Sequence, residues 1–588
     1  MPEIIALPSA WAAVLAAQGQ SPDLAWESGE LAHLVEDAQA AERIFSAALQ
    51  VCLAESLGHT RLALGGPDAP GWLGSLGPTP DGTALRSDPA LQGFVGGTED
   101  LAPLIAGEDW IATGRSVDLE RRFAAAVLAR LGVTDAVEVP DALLDVSISL
   151  NAEQREAVRL AARSRLTVIT GGPGTGKTSI IAALLRVFEG ASIALTAPTG
   201  KAAQRMGPVP RAEGASEPLT LHRLLGWRPR RGEWRHHAGN PLGADLVIVD
   251  EASMVDQELM VRLLDALKPG ARLVLLGDAA QLPSVGRGAV LRDLVAALPA
   301  SVARLEQSYR MDPADPAGSA ILGYARKMGS GSAEEPDLLV RNSVPELAGQ
   351  GVELLLPSVL PELIRDWHAR ITNLDGYERH VHQDHVCDPE GFDPASIAAM
   401  EALITHHDRF RLLALLQEGP SLTGAADLNA ALHALAWPLN GRGLQRDQPF
   451  YLGEPVMMVR NDYRRGLFNG DQGLVVKVRR EGVSRREVVF WKEDRPIAFP
   501  LAPLAPDLAL AYALTVHKAQ GSEFDAVAVV LPPADHPLLT RQNLYTALTR
   551  ARRHALIVGD PTLPPLASRK EERRATGLVE LLDQGRSR

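Results

Sequence analysis

Residues 171–178 read Gly171-Gly172-Pro173-Gly174-Thr175-Gly176-Lys177-Thr178 and fit the pattern G-x-x-x-x-G-K-[ST]. They follow a predicted strand, Leu166–Thr170, and open a predicted helix, which is the context that a phosphate-binding loop requires. The glycines of such a loop let backbone N–H groups close around the β-phosphate, and the helix N-terminus adds positive potential. Lys177 then reaches the β- and γ-phosphates, and the hydroxyl of Thr178 ligates Mg²⁺. The predicted ATP contacts of the loop are Gly171, Gly172, Pro173, Gly174, Thr175, Gly176, Lys177 and Thr178.

An acidic pair, Asp250-Glu251, ends the strand-like run 244–249 downstream of this loop. A carboxylate at the C-terminal end of a buried strand points into the crevice where a nucleotide binds. We therefore expect Asp250 to hold Mg²⁺ and Glu251 to position and deprotonate the attacking water. Alone, such a pair is a common feature of strand ends, but behind a P-loop it predicts hydrolysis of Mg·ATP.

The sequence around these motifs predicts an α/β fold. Short β-rich runs alternate with helical patterns, which is typical of a parallel sheet covered on both faces. A second α/β region begins near Val302, is interrupted, and resumes over Leu514–Gly559. Within the interruption, Asn469-Gly470 lies between two apolar runs and predicts a hairpin. The predicted strands of the first region are Leu166–Thr170, Ala191–Thr196, Leu246–Asp250 and Leu273–Gly277.

The composition is that of a globular protein with an uneven charge. Of the 588 residues, 22% are charged and 46% are hydrophobic, which excludes a mainly disordered, collagen-like or coiled-coil chain. The net charge is −13, and residues 1–150 alone carry 21 acidic and 7 basic side chains. That segment is a poor partner for a phosphate backbone, whereas the near-neutral remainder can bind DNA through local basic patches.

The cysteine count and the hydropathy indicate the compartment. Cys52 and Cys387 are the only two cysteines, which excludes a disulfide framework and fits a reducing compartment. No apolar run reaches the roughly 20 residues of a membrane span, and the apolar stretch near the start lacks a basic segment before it. We expect a cytoplasmic protein.

Further segments resemble the ordered motifs of superfamily 1 helicases, namely Asn151–Gln154, Gly277–Pro283, Gln307–Arg310 and Leu544–Arg552. The resemblance implies that Gln154 reads the adenine, that Tyr309 also contacts ATP, and that Gln281 senses the γ-phosphate. It also implies two arginine fingers, Arg310 and Arg550, which come from the second α/β region. A guanidinium arriving from another domain stabilises charge on the γ-phosphate and ties hydrolysis to domain closure. The predicted catalytic residues are Lys177, Asp250, Glu251, Gln281, Arg310 and Arg550.

Three segments at strand ends or helix starts, 196–201, 220–226 and 514–521, are expected to face DNA. They carry small hydroxyl or basic residues, which suit sequence-independent contacts to phosphates. Considered singly, each Thr or His in them is equally compatible with a helix cap or a core position. The predicted DNA contacts are Pro198, Thr199, Lys201, Thr220, His222, Thr515, His517 and Lys518.

The closer resemblance is to the RecD family of superfamily 1B helicases, the α subunits of exodeoxyribonuclease V (the RecBCD enzyme). It rests on residues 171–178, 197–206, 220–226, 236–242, 250–254, 466–471, 515–525 and 573–578. It implies a 5′-to-3′ motor on single-stranded DNA that works beside a RecB motor of opposite polarity and a RecC scaffold. Such enzymes act in double-strand break repair by homologous recombination and in DNA degradation, in the bacterial cytoplasm at the nucleoid. The nuclease centre is expected in RecB.

The predicted architecture consists of two RecA-like parallel-sheet domains, a mostly helical N-terminal domain and an inserted SH3-like β-barrel. The N-terminal domain, residues 1–145, is expected to contact RecC, which agrees with its acidity. The first RecA-like domain spans residues 146–301, and the second spans residues 302–444 and 506–588. The barrel is placed at residues 445–505, around the Asn-Gly turn.

Two other functions stay open. One is a freestanding RecD-like helicase without RecB or RecC, whose N-terminal extension would carry helix-hairpin-helix DNA-binding elements that the acidic residues 1–150 do not suit. The other is a regulatory subunit whose ATP site gates assembly with little motor activity. The residues that argue against the second are Glu251, Gln281, Arg310 and Arg550.

Two local features have a functional and a plain interpretation. The spacing H-x-H-x-x-H-x-C, formed by His380, His382, His385 and Cys387, matches no structural zinc pattern, so we expect a solvated loop there. The segment Arg228-Pro229-Arg230-Arg231, with Trp227 and Trp234, is either a DNA-touching hairpin or a solvated loop.

Overall fold

The computed structural model describes residues 9–18, 20–21, 23–132, 139–140, 143, 150–207, 214–229, 231–309, 316–331, 338–344, 351–440, 449–462, 464–492 and 495–587. Two residues singled out from the sequence, Arg230 and Arg310, lie outside these ranges. Within them, no helix is both long and apolar enough to cross a membrane.

The N-terminal region combines helices with a small sheet that the sequence did not predict, and a mostly helical domain stays a prediction. The sheet runs in the order Leu62–Ala63, Trp110–Thr113, Leu104–Ala106 and Val95–Gly96. Strands of this length are too short to show the alternation that reveals a strand in a sequence. The helices are Ser9–Ala17, Leu24–Ala32, Ala38–Ser56, Gly82–Ser87 and Gly114–Leu128.

The first large sheet has six parallel strands and carries the P-loop. In spatial order they are Val302–Leu305, Leu166–Gly171, Arg272–Gly277, Leu246–Val249, Ile193–Ala197 and Leu219–Thr220. The central strands are buried along their whole length because helices cover both faces, as their continuous apolar runs predict. The helices are Ala152–Arg163, Lys177–Val187, Gly200–Arg205, Leu221–Leu224, Gln257–Ala266 and Val290–Ala297.

The strand Val302–Leu305 belongs to this first sheet, although the sequence prediction assigned it to the second domain. It pairs in parallel with the P-loop strand, with Leu305 opposite Gly171. This pairing brings the residues that follow the strand to the P-loop.

The second large sheet also has six parallel strands. In spatial order they are Leu339–Arg341, Gly351–Leu355, Ala551–Val558, Phe524–Val530, Phe410–Ala414 and Ala513–Thr515. The helices of this part of the chain are Pro316–Ser330, Leu360–Thr372, Tyr377–His382, Pro394–His407, Ala425–Asn440, Arg541–Leu548 and Leu563–Arg569. The parallel α/β fold predicted for both regions is confirmed.

A third, mostly antiparallel sheet is inserted into the second α/β region. Pro455–Met458 and Gln472–Arg480 pair antiparallel, as predicted, but they are joined by the longer connection 459–471. Asn469-Gly470 lies near the end of that connection, and Gly470 has a φ of 90°. The sheet extends beyond 445–505, because His385–Asp388 and Leu508–Leu510 pair with it. Its spatial order is Gly391–Phe392, His385–Asp388, Gln472–Arg480, Pro455–Met458 and Leu508–Leu510. In addition, Val483–Lys492 pairs with Gln472–Arg480, and Arg495–Pro500 pairs with Val483–Lys492. Among the described residues no strand pair closes it, so an SH3-like barrel stays a prediction.

The histidine-rich stretch is ordered secondary structure, so the expectation of a solvated loop was wrong. His380 and His382 lie in the helix Tyr377–His382, and His385 and Cys387 lie in a strand. His385 is fully buried, and its Nε2 lies 2.9 Å from the carbonyl oxygen of His380. Among the described residues no group of three or more His, Cys, Asp or Glu side chains could hold a metal ion.

The last helix, Leu578–Ser587, returns to the first sheet, although the sequence prediction placed it in the second domain. Leu578 and Leu582 are buried in the same core as Phe123 of the N-terminal region and Leu294 of the first α/β region. The chain therefore crosses from the second sheet back to the first just before its final helix.

Candidate nucleotide site and the cleft between the sheets

The P-loop has the backbone conformation that its glycines predict. Gly174 and Gly176 have φ values of 75° and 77°, in the left-handed region that glycine adopts without cost. A Cβ atom at Gly176 would lie 2.3 Å from the amide nitrogen of Gln154. Successive left-handed turns of this kind expose backbone N–H groups to an anion. The loop therefore requires glycine at these positions for shape as well as for phosphate binding.

Lys177 opens the helix that follows the loop. Its Nζ donates to the carbonyl oxygens of Gly171 at 2.7 Å and Gly172 at 3.1 Å. Thr178, the next residue, is exposed at the helix start. An ammonium and a hydroxyl thus lie at one helix N-terminus, where the helix dipole also favours an anion.

The acidic pair lies at the end of the strand Leu246–Val249. Partial burial and the neighbouring Glu251 raise the pKa of Asp250 to about 6, while the positive charge of Lys177 acts in the opposite direction. Glu251 is in the left-handed region with a φ of 51°, and its N–H donates to Asp250 Oδ1 at 2.9 Å. Strained backbone of this kind clusters at functional sites. Carboxylate and hydroxyl oxygens are the ligands that Mg²⁺ prefers, so Asp250 and Thr178 fit the predicted metal.

Gln154 supports the P-loop from behind. Its Nε2 donates to the carbonyl oxygen of Thr175 at 2.8 Å, and its Oε1 accepts from the backbone N–H of Asn151 at 2.9 Å. The hydroxyl of Tyr309 donates to the same Oε1 at 3.4 Å, and 48% of Tyr309 is exposed. An exposed aromatic ring beside a P-loop offers a face for a nucleotide base. Adenine reading by Gln154 stays a prediction.

The segment before Arg310 is attached to the P-loop. The hydroxyl of Ser308 donates to the carbonyl oxygen of Pro173 at 2.9 Å. The backbone N–H of Tyr309 donates to the carbonyl oxygen of Gly174, also at 2.9 Å. Because Arg310 lies outside the described residues, its role as an arginine finger stays a prediction.

The segment Gly277–Pro283 joins the two large sheets. The hydroxyl of Tyr545 donates to Asp278 Oδ2 at 2.9 Å, and the N–H of Leu282 donates to the hydroxyl of Thr546 at 3.0 Å. Gln281 is buried between these contacts, and its Nε2 donates to Asp278 Oδ2 at 3.2 Å. Its Oε1 is buried with no hydrogen-bond partner among the described residues, which leaves an acceptor for an incoming donor such as a water.

A cleft of about 400 Å³ separates the P-loop from the second sheet. Arg326, on the helix Pro316–Ser330, lines this cleft together with Gly172, Asp278 and Tyr545. Its guanidinium donates to the carbonyl oxygen of Glu306 at 2.6 Å. Arg326 was not among the predicted site residues, because a single arginine on a helix surface belongs to no motif.

Arg550, the second predicted arginine finger, lies inside the second α/β region in this structure. It is 3% exposed and donates to the carbonyl oxygens of Thr546 at 3.0 Å and Ser522 at 3.2 Å. It does not line the cleft that Arg326 lines. A role for Arg550 at the γ-phosphate stays a prediction.

The predicted DNA contacts on the first sheet follow strand ends. Thr199 and Thr220 cap helices, accepting from the N–H groups of Ala202 and Arg223 at 3.3 Å each. Pro198 precedes the first of these caps. Lys201 lines a pocket of about 320 Å³, and burial lowers its pKa to about 8. The capping role that the sequence left open is therefore present, and DNA contact stays a prediction.

The other predicted DNA contacts lie in two places. Thr515 and Lys518 line a cavity of about 300 Å³ at the end of the strand Ala513–Thr515. His517 follows in the same segment, and burial lowers its pKa. His222 packs against Trp234 at a ring distance of 5.5 Å, and burial lowers its pKa too.

The segment with two tryptophans is a hairpin. Trp227–Arg228 pairs antiparallel with Glu233–Trp234, and the two indole rings lie 4.6 Å apart. Arg262 covers Trp234 at 5.4 Å. Contact of this hairpin with DNA stays a prediction.

Two parallel sheets, a P-loop with an acidic pair, and a cleft between the sheets define a RecA-like motor ATPase of the helicase type. A family model described as "AAA domain" matches residues 149–335, and one described as "UvrD-like helicase C-terminal domain" matches residues 510–558. The RecBCD enzyme subunit RecD of Mycolicibacterium smegmatis is 35% identical over 88% of this chain and 87% of its own length. The ATP-dependent RecD2 DNA helicase of Deinococcus radiodurans is 35% identical over 73% of this chain and 52% of its own.

Among solved structures, Pif1 helicase from Candida albicans is similar at 18% identity and a TM-score of 0.41, over 75% of this chain and 99% of that one. The relatives at 35% identity establish the family. The chain belongs to the RecD family and is an ATP-hydrolysing DNA helicase.

Replacing Gln154 by alanine is expected to raise the KM for ATP by about tenfold with little change in kcat, because the P-loop loses a buried hydrogen bond. If Gln154 also reads the base, the ratio of the KM values for GTP and ATP falls toward one. Steady-state ATPase assays with both nucleotides measure these values, and Gln204→Ala, an exposed glutamine, is the control. An unchanged GTP-to-ATP ratio in Gln154→Ala would contradict base reading.

Proposed function

We propose that the chain is a RecD subunit that couples ATP hydrolysis in the cleft to 5′-to-3′ movement along single-stranded DNA. The observation that carries this proposal is the direct link between the sheets at Gly277–Pro283. Because Asp278 and Leu282 bond to Tyr545 and Thr546, a change at the γ-phosphate near Gln281 is passed to the helix Arg541–Leu548 of the second sheet.

The proposed roles follow the chemistry of each group. The P-loop N–H groups and Lys177 hold the phosphates, and Thr178 and Asp250 would hold Mg²⁺, which neutralises phosphate charge when bound. Glu251 positions the water and takes its proton. The guanidinium groups proposed to stabilise the γ-phosphate are those of Arg310, Arg326 and Arg550, of which Arg326 and Arg550 lie in the second α/β region.

Movement along DNA requires one grip on each sheet. On the first sheet the proposed grip is formed by Pro198, Thr199, Lys201, Thr220 and His222. On the second sheet it is formed by Thr515, His517 and Lys518. Closing and opening of the cleft would change the distance between the two grips and so advance the strand.

We also propose that the chain works with RecB-type and RecC-type subunits in the bacterial cytoplasm, at the nucleoid. The mycobacterial RecD subunit aligns with 88% of this chain, more than the 73% for the Deinococcus helicase. The acidic N-terminal region exposes Leu34 (65%) and Leu101 (99%), which suits a protein partner better than DNA. The inserted antiparallel sheet is proposed to be an SH3-like domain beside the DNA path.

Strand displacement tests this proposal. Partial duplexes with a 5′ or a 3′ single-stranded tail are offered to the chain alone and to the chain with candidate RecB and RecC subunits. Unwinding from the 5′ tail alone, with a marked gain from the partners, is the expected result. Unwinding from the 3′ tail alone would contradict the direction, and no unwinding in any setting would favour a subunit whose ATP site gates assembly.

Replacing Arg326 by alanine is expected to lower the DNA-stimulated kcat for ATP by about 10²-fold, because one of the charges facing the γ-phosphate is lost. The KM for ATP should change little if the guanidinium acts mainly in the transition state. Steady-state ATPase assays give both constants. The matched control is Lys327→Ala, the exposed neighbour on the same helix. A kcat for Arg326→Ala equal to that of the control would remove Arg326 from the site.

A further inference from the structure

The segment that leads to the last helix connects three parts of the molecule. Its first residues belong to the second α/β region, because the N–H of Arg541 donates to the carbonyl oxygen of Lys570 at 2.8 Å. The N–H of Glu572 donates to the side chain of Gln542 at 2.8 Å. Both partners lie on the helix Arg541–Leu548, which also carries the hydroxyls that bond to Asp278 and Leu282.

Two residues later the same segment is bonded to the first α/β region. Arg574 is 7% exposed, and its guanidinium donates to the carbonyl oxygens of Ser284 at 2.7 Å, Gly286 at 2.6 Å and Gly288 at 2.8 Å. These three carbonyl groups belong to the loop 284–288, which follows Gln281 closely in the chain. A planar guanidinium presents several N–H groups in a fixed arrangement, which a lysine ammonium cannot reproduce.

The N-terminal region closes the other side of the Arg574 site. Gly58 has a φ of 91°, and a Cβ atom there would lie 2.6 Å from Cζ of Arg574. The carbonyl oxygen of Gly58 accepts from the N–H of Gly288 at 2.8 Å. The N–H of Ala575 donates to Nδ1 of His59 at 3.0 Å. The loop after Gln281 therefore contacts both Arg574 and the N-terminal region, which also contact each other.

Gln281 is consequently held from both sides. Before it, Asp278 is held by Tyr545, and after it the loop 284–288 is held by Arg574. The carboxylate of Glu572 accepts a hydrogen bond from the guanidinium of Arg574 at 3.3 Å, and this contact orients the guanidinium. A small displacement of a catalytic group can lower a rate by about 10²-fold, so the position of this loop matters for hydrolysis.

We propose that Arg574 is a positioning residue for Gln281, and that the N-terminal region, through Gly58 and His59, sets the position of the loop that both share. This inference rests on the proposed role of Gln281 at the γ-phosphate. It gives a protein partner bound to the N-terminal region a route to the rate of ATP hydrolysis.

The test compares kcat with KM in the full chain. Arg574→Ala is expected to lower the kcat for ssDNA-stimulated ATP hydrolysis by about tenfold while the KM for ATP stays within about twofold. Arg574→Lys is expected to recover part of kcat only. Arg573→Ala, which removes an arginine that is 47% exposed beside Glu571, is the matched control and should behave as wild type. Equal kcat values for Arg574→Ala and Arg573→Ala would overturn the proposal.

A double-mutant cycle shows whether Arg574 acts through Gln281. If it does, the variant with both Arg574→Ala and Gln281→Ala turns over no more slowly than Gln281→Ala alone. If the fold losses in kcat of the two single variants multiply in the double variant, Arg574 acts independently of Gln281. Gly58→Ala adds a methyl group that meets the same guanidinium from the N-terminal region, so it should reproduce the kcat loss of Arg574→Ala. A wild-type kcat in Gly58→Ala would overturn the proposal that the N-terminal region sets the position of the loop.

The same assays separate this proposal from the proposed function. Absence of ssDNA-stimulated ATPase in the wild-type chain would contradict the motor itself. A normal wild-type motor combined with a large fall in melting temperature and a raised KM in both Arg574 variants would overturn positioning in favour of general stability.

Discussion

Replacing Lys177 by glutamine is expected to lower the ssDNA-stimulated kcat for ATP hydrolysis by about 10³-fold, because a neutral amide cannot offset charge on the γ-phosphate. Lys177 is the cation that the P-loop itself supplies, and its ammonium lies within 2.7 Å of the Gly171 carbonyl oxygen. The loop shape depends on Gly174 and Gly176, so the fold and any assembly with the proposed RecB- and RecC-type partners should survive. Steady-state ATPase, strand displacement and size-exclusion chromatography with partners measure the three consequences.

Lys268→Gln is the control for this variant. Lys268 is a surface lysine paired with Asp245 at 2.7 Å, and a surface ion pair contributes little to stability. The kcat of the Lys268→Gln variant for ATP hydrolysis should stay within about twofold of the wild-type value. Assembly that fails in Lys177→Gln, with a wild-type chain that never moves on DNA, would support the gating subunit instead.

Replacing Glu251 by glutamine is expected to lower kcat by about 10³-fold while ATP still binds, because the group that takes the proton from water is removed without a change of size. The left-handed backbone at Glu251 and the bond from its N–H to Asp250 do not depend on the side chain. The variant should therefore bind a fluorescent ATP analogue with wild-type affinity and hold it without turnover. Single-turnover hydrolysis measures the chemical step directly.

Glu258→Gln, on the exposed face of the next helix, is the control for Glu251→Gln. Glu258 pairs with Arg115 and Arg262 at the surface, away from the phosphate site. The Glu258→Gln variant should hydrolyse ATP at the wild-type rate. A Glu251→Gln chain that retains wild-type turnover would show that another group activates the water.

The nucleotide site could be predicted because its signals are local. The P-loop has a fixed spacing between a strand and a helix, and both elements are where the pattern places them. Asp250 and Glu251 follow a continuous apolar strand, so their position at a sheet edge was also predictable. The antiparallel pairing of Pro455–Met458 with Gln472–Arg480 was predictable from the two apolar runs, although the connection between them is longer than the two-residue turn that Asn-Gly favours.

The remaining features depend on contacts between residues far apart in the chain. Arg326 reaches the cleft only because its helix packs on the second sheet on the side that faces the P-loop, and nothing around it in the sequence marks it. The strand Val302–Leu305 joins the first sheet by pairing with a strand more than a hundred residues earlier. The return of Leu578–Ser587 to the first sheet is likewise a matter of tertiary packing. Periodicity reports burial of an element but not which sheet buries it.

The structure of the histidine-rich stretch also depends on contacts with a distant part of the chain. Its polar composition favoured a loop, yet His385 is buried in a strand that pairs with Gln472–Arg480. The pairing supplies backbone hydrogen bonds that the composition does not reveal.

The central claim is that one chain converts ATP hydrolysis into directed movement along single-stranded DNA. Stopped-flow fluorescence tests it most directly, with oligonucleotides of increasing length labelled at the 5′ or the 3′ end and the protein bound before ATP is added. We predict a lag that grows with length before the signal at the 3′ label changes, and no such lag with the 5′ label. A length-dependent lag at the 5′ label, or none at either end while ATP is hydrolysed, would contradict the account.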